Sequence, residues 1–254
     1  MPVTDAIEAL TRRDRLLVVA GLAAITGLAW LYLLNLAPGM QGTAMPALKP
    51  WSTVDFALMF VMWAVMMIAM MTPSAAPMIL LHAAIIRKRP EADRPAAATA
   101  AFTAGYLAVW TGFSVLATLL QWGLEQATLL SPMMVATSPY LGGALLIAAG
   151  AYQVTPLKQA CLQHCRSPVQ FLTSHWRPGT GGAVRIGLEH GLYCLGCCWV
   201  LMALLFVGGV MNLLWIAAIA IFVLTEKILP HGSLLDRSTG ALLVLSGLWL
   251  IVQG

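Results

Sequence analysis

All five cysteines of the chain lie between positions 161 and 198, and none precedes Cys161. Cys161 and Cys165 are four apart, and Cys194 is followed by Cys197 and Cys198, so at helical spacing each set shares a face. His190 stands one turn before Cys194 on that same face. One cysteine in an apolar helix is ordinary packing. Five so closely spaced, in two helical sets, predict soft-metal binding or, as the competing chemistry, dithiol–disulfide exchange. Their odd number argues against a structural disulfide framework.

Methionine is concentrated elsewhere. Met59, Met62, Met66, Met67, Met70, Met71 and Met78 are seven of the 14 methionines, gathered between positions 59 and 78. Met62, Met66 and Met70 recur at four-residue steps with Met59 one turn earlier, so one helical stripe presents four thioethers. Methionine commonly fills cores, but a thioether stripe in the same chain as clustered thiols selects Cu(I) over hard cations. The other polar candidates carry weaker signals. His164 points away from the face of Cys165, and His82, His175 and His231 fall in or beside expected loops with no spacing pattern. Glu226 and Lys227 fit interfacial charges as well as site residues, and Asn212 fits a helix cap as well as a ligand.

The elements that must position these residues are membrane helices. Only 9% of the 254 residues are charged, 60% are hydrophobic and the mean hydropathy is +0.84, beyond the range of water-soluble domains. The apolar stretches are long and unalternated, which selects helices over a barrel. Seven segments are expected, at about 16–36, 53–83, 96–121, 138–158, 186–208, 210–229 and 239–253, with boundaries good to about 2–4 residues. The first lacks a small-residue cleavage signal and is read as a span. The last is short for a core of about 30 Å, so six or seven spans are predicted. The second carries Pro73 and Pro77 and is expected to be broken there.

Thirteen of the 14 Lys and Arg fall in alternate connections: Arg12, Arg13 and Arg15; Arg87, Lys88, Arg89 and Arg94; Lys158, Arg166, Arg177 and Arg185; Lys227 and Arg237. Lys49 alone falls on the other side. Cytoplasmic loops retain positive charge, which places the N-terminus, a tail over 1–15, in the cytoplasm. Residues 16–254 then form a single transmembrane domain with a cytoplasmic loop at about 159–185. Both cysteine sets lie on the reducing side, a second argument against disulfides. The net charge of +4 is thus a topology signal and gives no support to nucleic-acid binding. No G-x-G-x-x-G, P-loop or H-E-x-x-H string is present, so dinucleotide, phosphate-cradling and zincin chemistry lose their usual support.

The strings Thr155-Pro156-Leu157-Lys158-x-x-Cys161-Leu162-x-x-Cys165, Gly187-Leu188-x-x-Gly191-x-x-Cys194-x-Gly196-Cys197-Cys198-Trp199-x-Leu201-Met202 and Gly209-x-Met211-Asn212-Leu213-x-Trp215 carry a family resemblance. With Glu226-Lys227 and the Met-Met-x-x-Met-Met-x-Pro of the second segment, they resemble the family of predicted metal-binding integral membrane proteins. One branch of that family is linked to copper supply for a bacterial polyphenol oxidase. The resemblance runs over roughly residues 53 to 250 and implies copper handling in a bacterial inner membrane, with a copper-requiring oxidase or a soluble metallochaperone as partner.

Together, residues and resemblance predict an all-α, non-enzymatic membrane protein that binds Cu(I) and transports it or delivers it to a cuproenzyme by ligand exchange. The expected ligands are Cys161, Cys165, His190, Cys194, Cys197 and Cys198 on the cytoplasmic side and Met59, Met62, Met66 and Met70 toward the outside. Two alternatives stay open: a membrane thiol–disulfide oxidoreductase cycling Cys194 and Cys197, and a haem-binding bundle with His190 as axial ligand.

Overall fold

The computed structural model describes residues 12–42, 51–89, 94–131, 134–229 and 232–254. The described chain is helical, with one isolated bridge between Leu130 and Ala136. The helices are α1 (Arg12–Gly42), α2 (Thr53–Arg87), α3 (Pro95–Gln126), α4 (Pro139–Gln153), α5 (Pro156–Arg166), α6 (Pro168–His175), α7 (Gly179–Ala203), the short α8 (Leu205–Gly208), α9 (Leu213–Ile228) and α10 (Gly232–Gln253). Their starts are written in the sequence. Proline occupies the first turn of α3, α4, α5 and α6, where its missing N–H costs nothing and its fixed φ suits the helix. Ser52 and Asp55 close a capping box on α2, Thr155 caps α5 and Asn212 caps α9 by accepting from the Trp215 amide at 3.2 Å. Of the two readings open to Asn212, the structure shows the cap.

Among the described residues, five helices are long and apolar enough to cross a bilayer: Arg15–Ala37, Thr53–Arg87, Pro95–Gln126, Gly179–Gly208 and Leu234–Gln253. By length and composition these helices are consistent with a multi-pass membrane protein. The final segment, expected to be short, belongs to a helix of 22 residues. The expected fourth and sixth spans are helices of 15 and 16 residues, roughly 22–24 Å at 1.5 Å per residue, short for a core of about 30 Å.

Two expectations are corrected. The second segment is not broken: α2 runs unbroken over 35 residues with Pro73 and Pro77 inside it. The helix around the prolines is mostly buried, with Pro73 partly buried and Pro77 exposed; the prolines withhold an amide from the Ala69 and Pro73 carbonyls, and packing against protein is where such a helix is tolerated. Nearby, the Met71 carbonyl accepts from both the Ser74 hydroxyl (2.9 Å) and the Tyr106 hydroxyl (3.1 Å). The stretch at 159–185 is not a loop either. It is most of α5, all of α6 and the start of α7, because its polar residues mark amphipathic helices lying on the bundle end, with Leu162, Phe171 and Leu172 turned inward.

One large core cluster runs through the bundle, with a small second one at Ala83 and Ala84. Helix α2 packs against α1, α3 and α9, and α3 against α7. Helix α4 packs antiparallel on α10 along a seam of small residues. A Cβ on Gly143 would stand 2.7 Å from the Gly247 carbonyl, and one on Gly150 only 2.5 Å from the Gly240 carbonyl. Such close backbone approach is how helices associate in lipid, where burial of apolar side chains supplies no driving force.

Candidate metal site

Helix α7 carries His190, Cys194, Cys197 and Cys198 on its buried face, and all four are at most 2% exposed. Helix α5 brings Cys161 and Cys165 to the same region of α7: the Cys161 sulfur lies where a side chain on Gly196 would have to go. Cys165, partly exposed, has its thiol pushed well above the usual range by hydrogen bonds to Cys194 and Cys197 and by burial. Burial also raises Cys161. None of the five is in a disulfide.

Cys194 is the junction of the site. Its sulfur accepts from the Lys227 ammonium at 2.9 Å and meets the Tyr106 hydroxyl at 3.1 Å. Lys227 also donates to the Ser74 hydroxyl at 2.8 Å, so α3 and α9 reach this sulfur of α7 directly and α2 joins them through Lys227. A buried ammonium needs a counter-charge, and the Cys194 sulfur is an ionisable acceptor within its reach. Cys197 and Cys198 donate their thiols to the Cys194 carbonyl, each at 3.0 Å. The sulfurs are thus adjacent without converging, and among the described residues no three His, Cys, Asp or Glu form a ready ligand set. A shared ion requires Cys197 or Cys198 to leave that carbonyl, a rotation about one side-chain bond between staggered positions. The donor set suits a soft, low-coordinate ion, and His190 adds a buried Nδ1 with no hydrogen-bond partner.

The methionine stripe is buried. Met62, Met66 and Met70 are at most 1% exposed and share one continuous core with the three α7 cysteines, while Met59 packs at its edge. At the far end of α2 from Cys194 the Gln121 amide nitrogen donates to two thioethers, Met59 at 3.6 Å and Met134 at 3.3 Å. Its oxygen accepts from Trp63 at 2.7 Å.

Several of these residues were not legible from spacing. His82, expected in or beside a loop, is buried within α2, stacks on Phe102 at 4.8 Å and leaves its Nδ1 without a partner. Lys227 and Glu226, which fitted interfacial charges as well as site residues, are both buried. Glu226 pairs with the equally buried Lys158 at 2.6 Å and accepts from Gln153 at 3.0 Å, an ionic network joining α4, α5 and α9. Met134, from an expected outer loop, faces the core. Glu189 stands apart in a surface pairing with Arg177 and Arg185. Lys49 and His231 lie outside the described residues.

A family model described as PpoB2, copper chaperone, matches residues 60–250. No curated protein and no solved structure matches the chain.

Proposed function

Because the chain belongs to the PpoB2 copper-chaperone family, we propose that it is a bacterial inner-membrane protein that binds Cu(I) and transports it or delivers it to a copper-requiring enzyme. The observation that carries this reading is the meeting of two soft-ligand sets in one buried core. Cys165 of α5 and Cys197 and Cys198 of α7 lie beside Cys194, and the thioethers of α2 lead away from the Tyr106–Met71 contact next to it.

In this reading the ion is cargo. It stays Cu(I) throughout, and each step forms one copper–sulfur bond as another breaks, with a thiol proton leaving when a cysteine first binds. Cys161 and Cys165 receive or release the ion at the cytoplasmic end, and Cys194, Cys197 and Cys198 with His190 hold it in the core. Met59, Met62, Met66 and Met70 pass it along α2 toward the outside, and Met134 joins Met59 there. An arriving cation also displaces the Lys227 hydrogen bond from Cys194, since two positive charges on one buried sulfur repel strongly. The chain catalyses no reaction, and its partners are a cuproenzyme or a soluble metallochaperone. The orientation is N-terminus inside with seven crossings, α4 and α9 included.

The test is metal analysis of full-length protein purified with a mild thiol reductant. The expected content is about one to two Cu(I) per chain, with most of it lost on replacing Cys194, Cys197 and Cys198 together by Ser. Haem or no metal in the wild type, or full copper in the triple variant, would overturn the site.

A further inference from the structure

Two histidines outside this ligand set form a second feature at the cytoplasmic end. Helices α5 and α6 meet at Ser167, and between them lies a cleft of about 120 Å³ lined by Gln163, His164, Ser167, Gln170, Phe171 and Ser174. His175, at the end of α6, stands at its side, and the His164 and His175 rings have centroids 6.3 Å apart. Both are partly exposed. The His164 Nδ1 lies 2.8 Å from the Ala160 carbonyl, and the His175 Nδ1 lies 3.0 Å from the Phe171 carbonyl. A carbonyl can only accept, so these contacts are hydrogen bonds when Nδ1 carries the hydrogen, with the Ser174 hydroxyl also 2.9 Å from the His175 Nδ1; in that neutral tautomer each Nε2 keeps a bare lone pair. This is the arrangement found behind metal-bound imidazoles, where a backbone carbonyl fixes tautomer and ring orientation.

We propose that His164 and His175 form an entry and exit site for Cu(I), an imidazole pair that exchanges the ion between solvent and the buried thiols. Two rings that share one two-coordinate ion, with metal–nitrogen bonds of about 2.0 Å, have centroids about 6 Å apart, close to the separation seen. The lining offers amides and hydroxyls but no carboxylate or thiol, so the two imidazoles are the only ligands of the Cys, His and carboxylate types that four-coordinate Zn²⁺ takes, and they suffice for two-coordinate copper. The site abuts the thiols. His164 stacks on Tyr193 with centroids 4.0 Å apart and planes at 7°, and these two residues immediately precede Cys165 and Cys194 in sequence. Phe171 packs between His175 at 4.5 Å and His190 at 5.5 Å. In the inward step copper–nitrogen bonds break as copper–sulfur bonds form, the copper stays Cu(I), and the displaced thiol proton passes to solvent.

This inference rests on the copper reading, and the experiment separates the two. Full-length protein in detergent is given Cu(I) as its bicinchoninate complex, and loss of the complex's colour is followed in time. His164→Gln with His175→Gln should reach the wild-type copper content about tenfold more slowly, an effect of the size seen when metal-supporting residues are removed. Unchanged rate and content overturn the exchange site alone, and so does a reduced final content, which would make the pair part of the storage site. Copper taken up by neither protein overturns both readings. A second measurement needs no histidine variant: in the protein lacking the three α7 thiols, Cu(I) should protect His164 and His175 from diethyl pyrocarbonate, mapped by mass spectrometry. Equal modification with and without Cu(I) overturns the proposal.

Discussion

At the residue scale, Met62, Met66 and Met70 divide two roles that burial alone does not separate, since a core thioether can fill volume or bind an ion. Leu is nearly isosteric, and such swaps cost under about 1.5 kcal/mol in a packed core, so the triple Met→Leu protein should be made and inserted normally. It should lose most copper-dependent activation of a partner oxidase, because Leu has no sulfur lone pair. Met134 is no silent control, being held by Gln121 beside Met59. Ile79→Leu, buried on the same helix, removes no sulfur and should leave activation unchanged. An expressed triple variant with full activation would return the stripe to packing. The cysteine set and this stripe were legible because their members lie three or four residues apart on single helices. Tyr106, Ser74 and Lys227 were not, for they reach Cys194 or one another across 33 to 153 residues of sequence, and no local period records that.

At the element scale, the seam between α4 and α10 fixes the depth of α4. Gly143 faces Gly247 and Gly150 faces Gly240, so a helix of 15 residues lies alongside one of 22. A side chain on Gly150 must push the two backbones apart, and overpacking of this kind costs about 1–3 kcal/mol. Gly150→Leu should therefore lower the melting temperature in detergent and raise protease sensitivity near α4. Gly112→Leu on α3, where a Cβ meets nothing within 4 Å, should do neither. Equal melting of the two variants would show that the seam carries no stability. Helix starts were legible through their prolines and caps. The proline break in α2 and the loop at 159–185 were misread for one shared reason: composition reports what a segment is made of, whereas partners for the backbone and for an apolar stripe come from tertiary packing.

At the scale of the whole molecule, the question is which side each end of the bundle faces, and α4 decides it. Alternate connections hold thirteen of the 14 Lys and Arg, although Lys158 and Lys227 turn out to be buried and engaged within the protein, so their positions answer to packing as well as to topology. Arg177 and Arg185 remain exposed around the start of α7. If α4 crosses, they share the cytoplasmic side with Arg87–Arg94; if α4 does not cross, the chain has the opposite side at this point and both cysteine sets face outward. Labelling of the three native thiols on α7 would not discriminate, because they are buried. Two exposed reporters would: Gln126→Cys at the end of α3 and Thr180→Cys at the start of α7, each probed with a membrane-impermeant maleimide on intact spheroplasts and again after lysis. The sulfur introduced at 126 should label before lysis and the one at 180 only after it. Labelling of both before lysis would mean that α4 turns back without crossing, leaving the thiols and the His164–His175 cleft on the outer face and reversing the route proposed for copper.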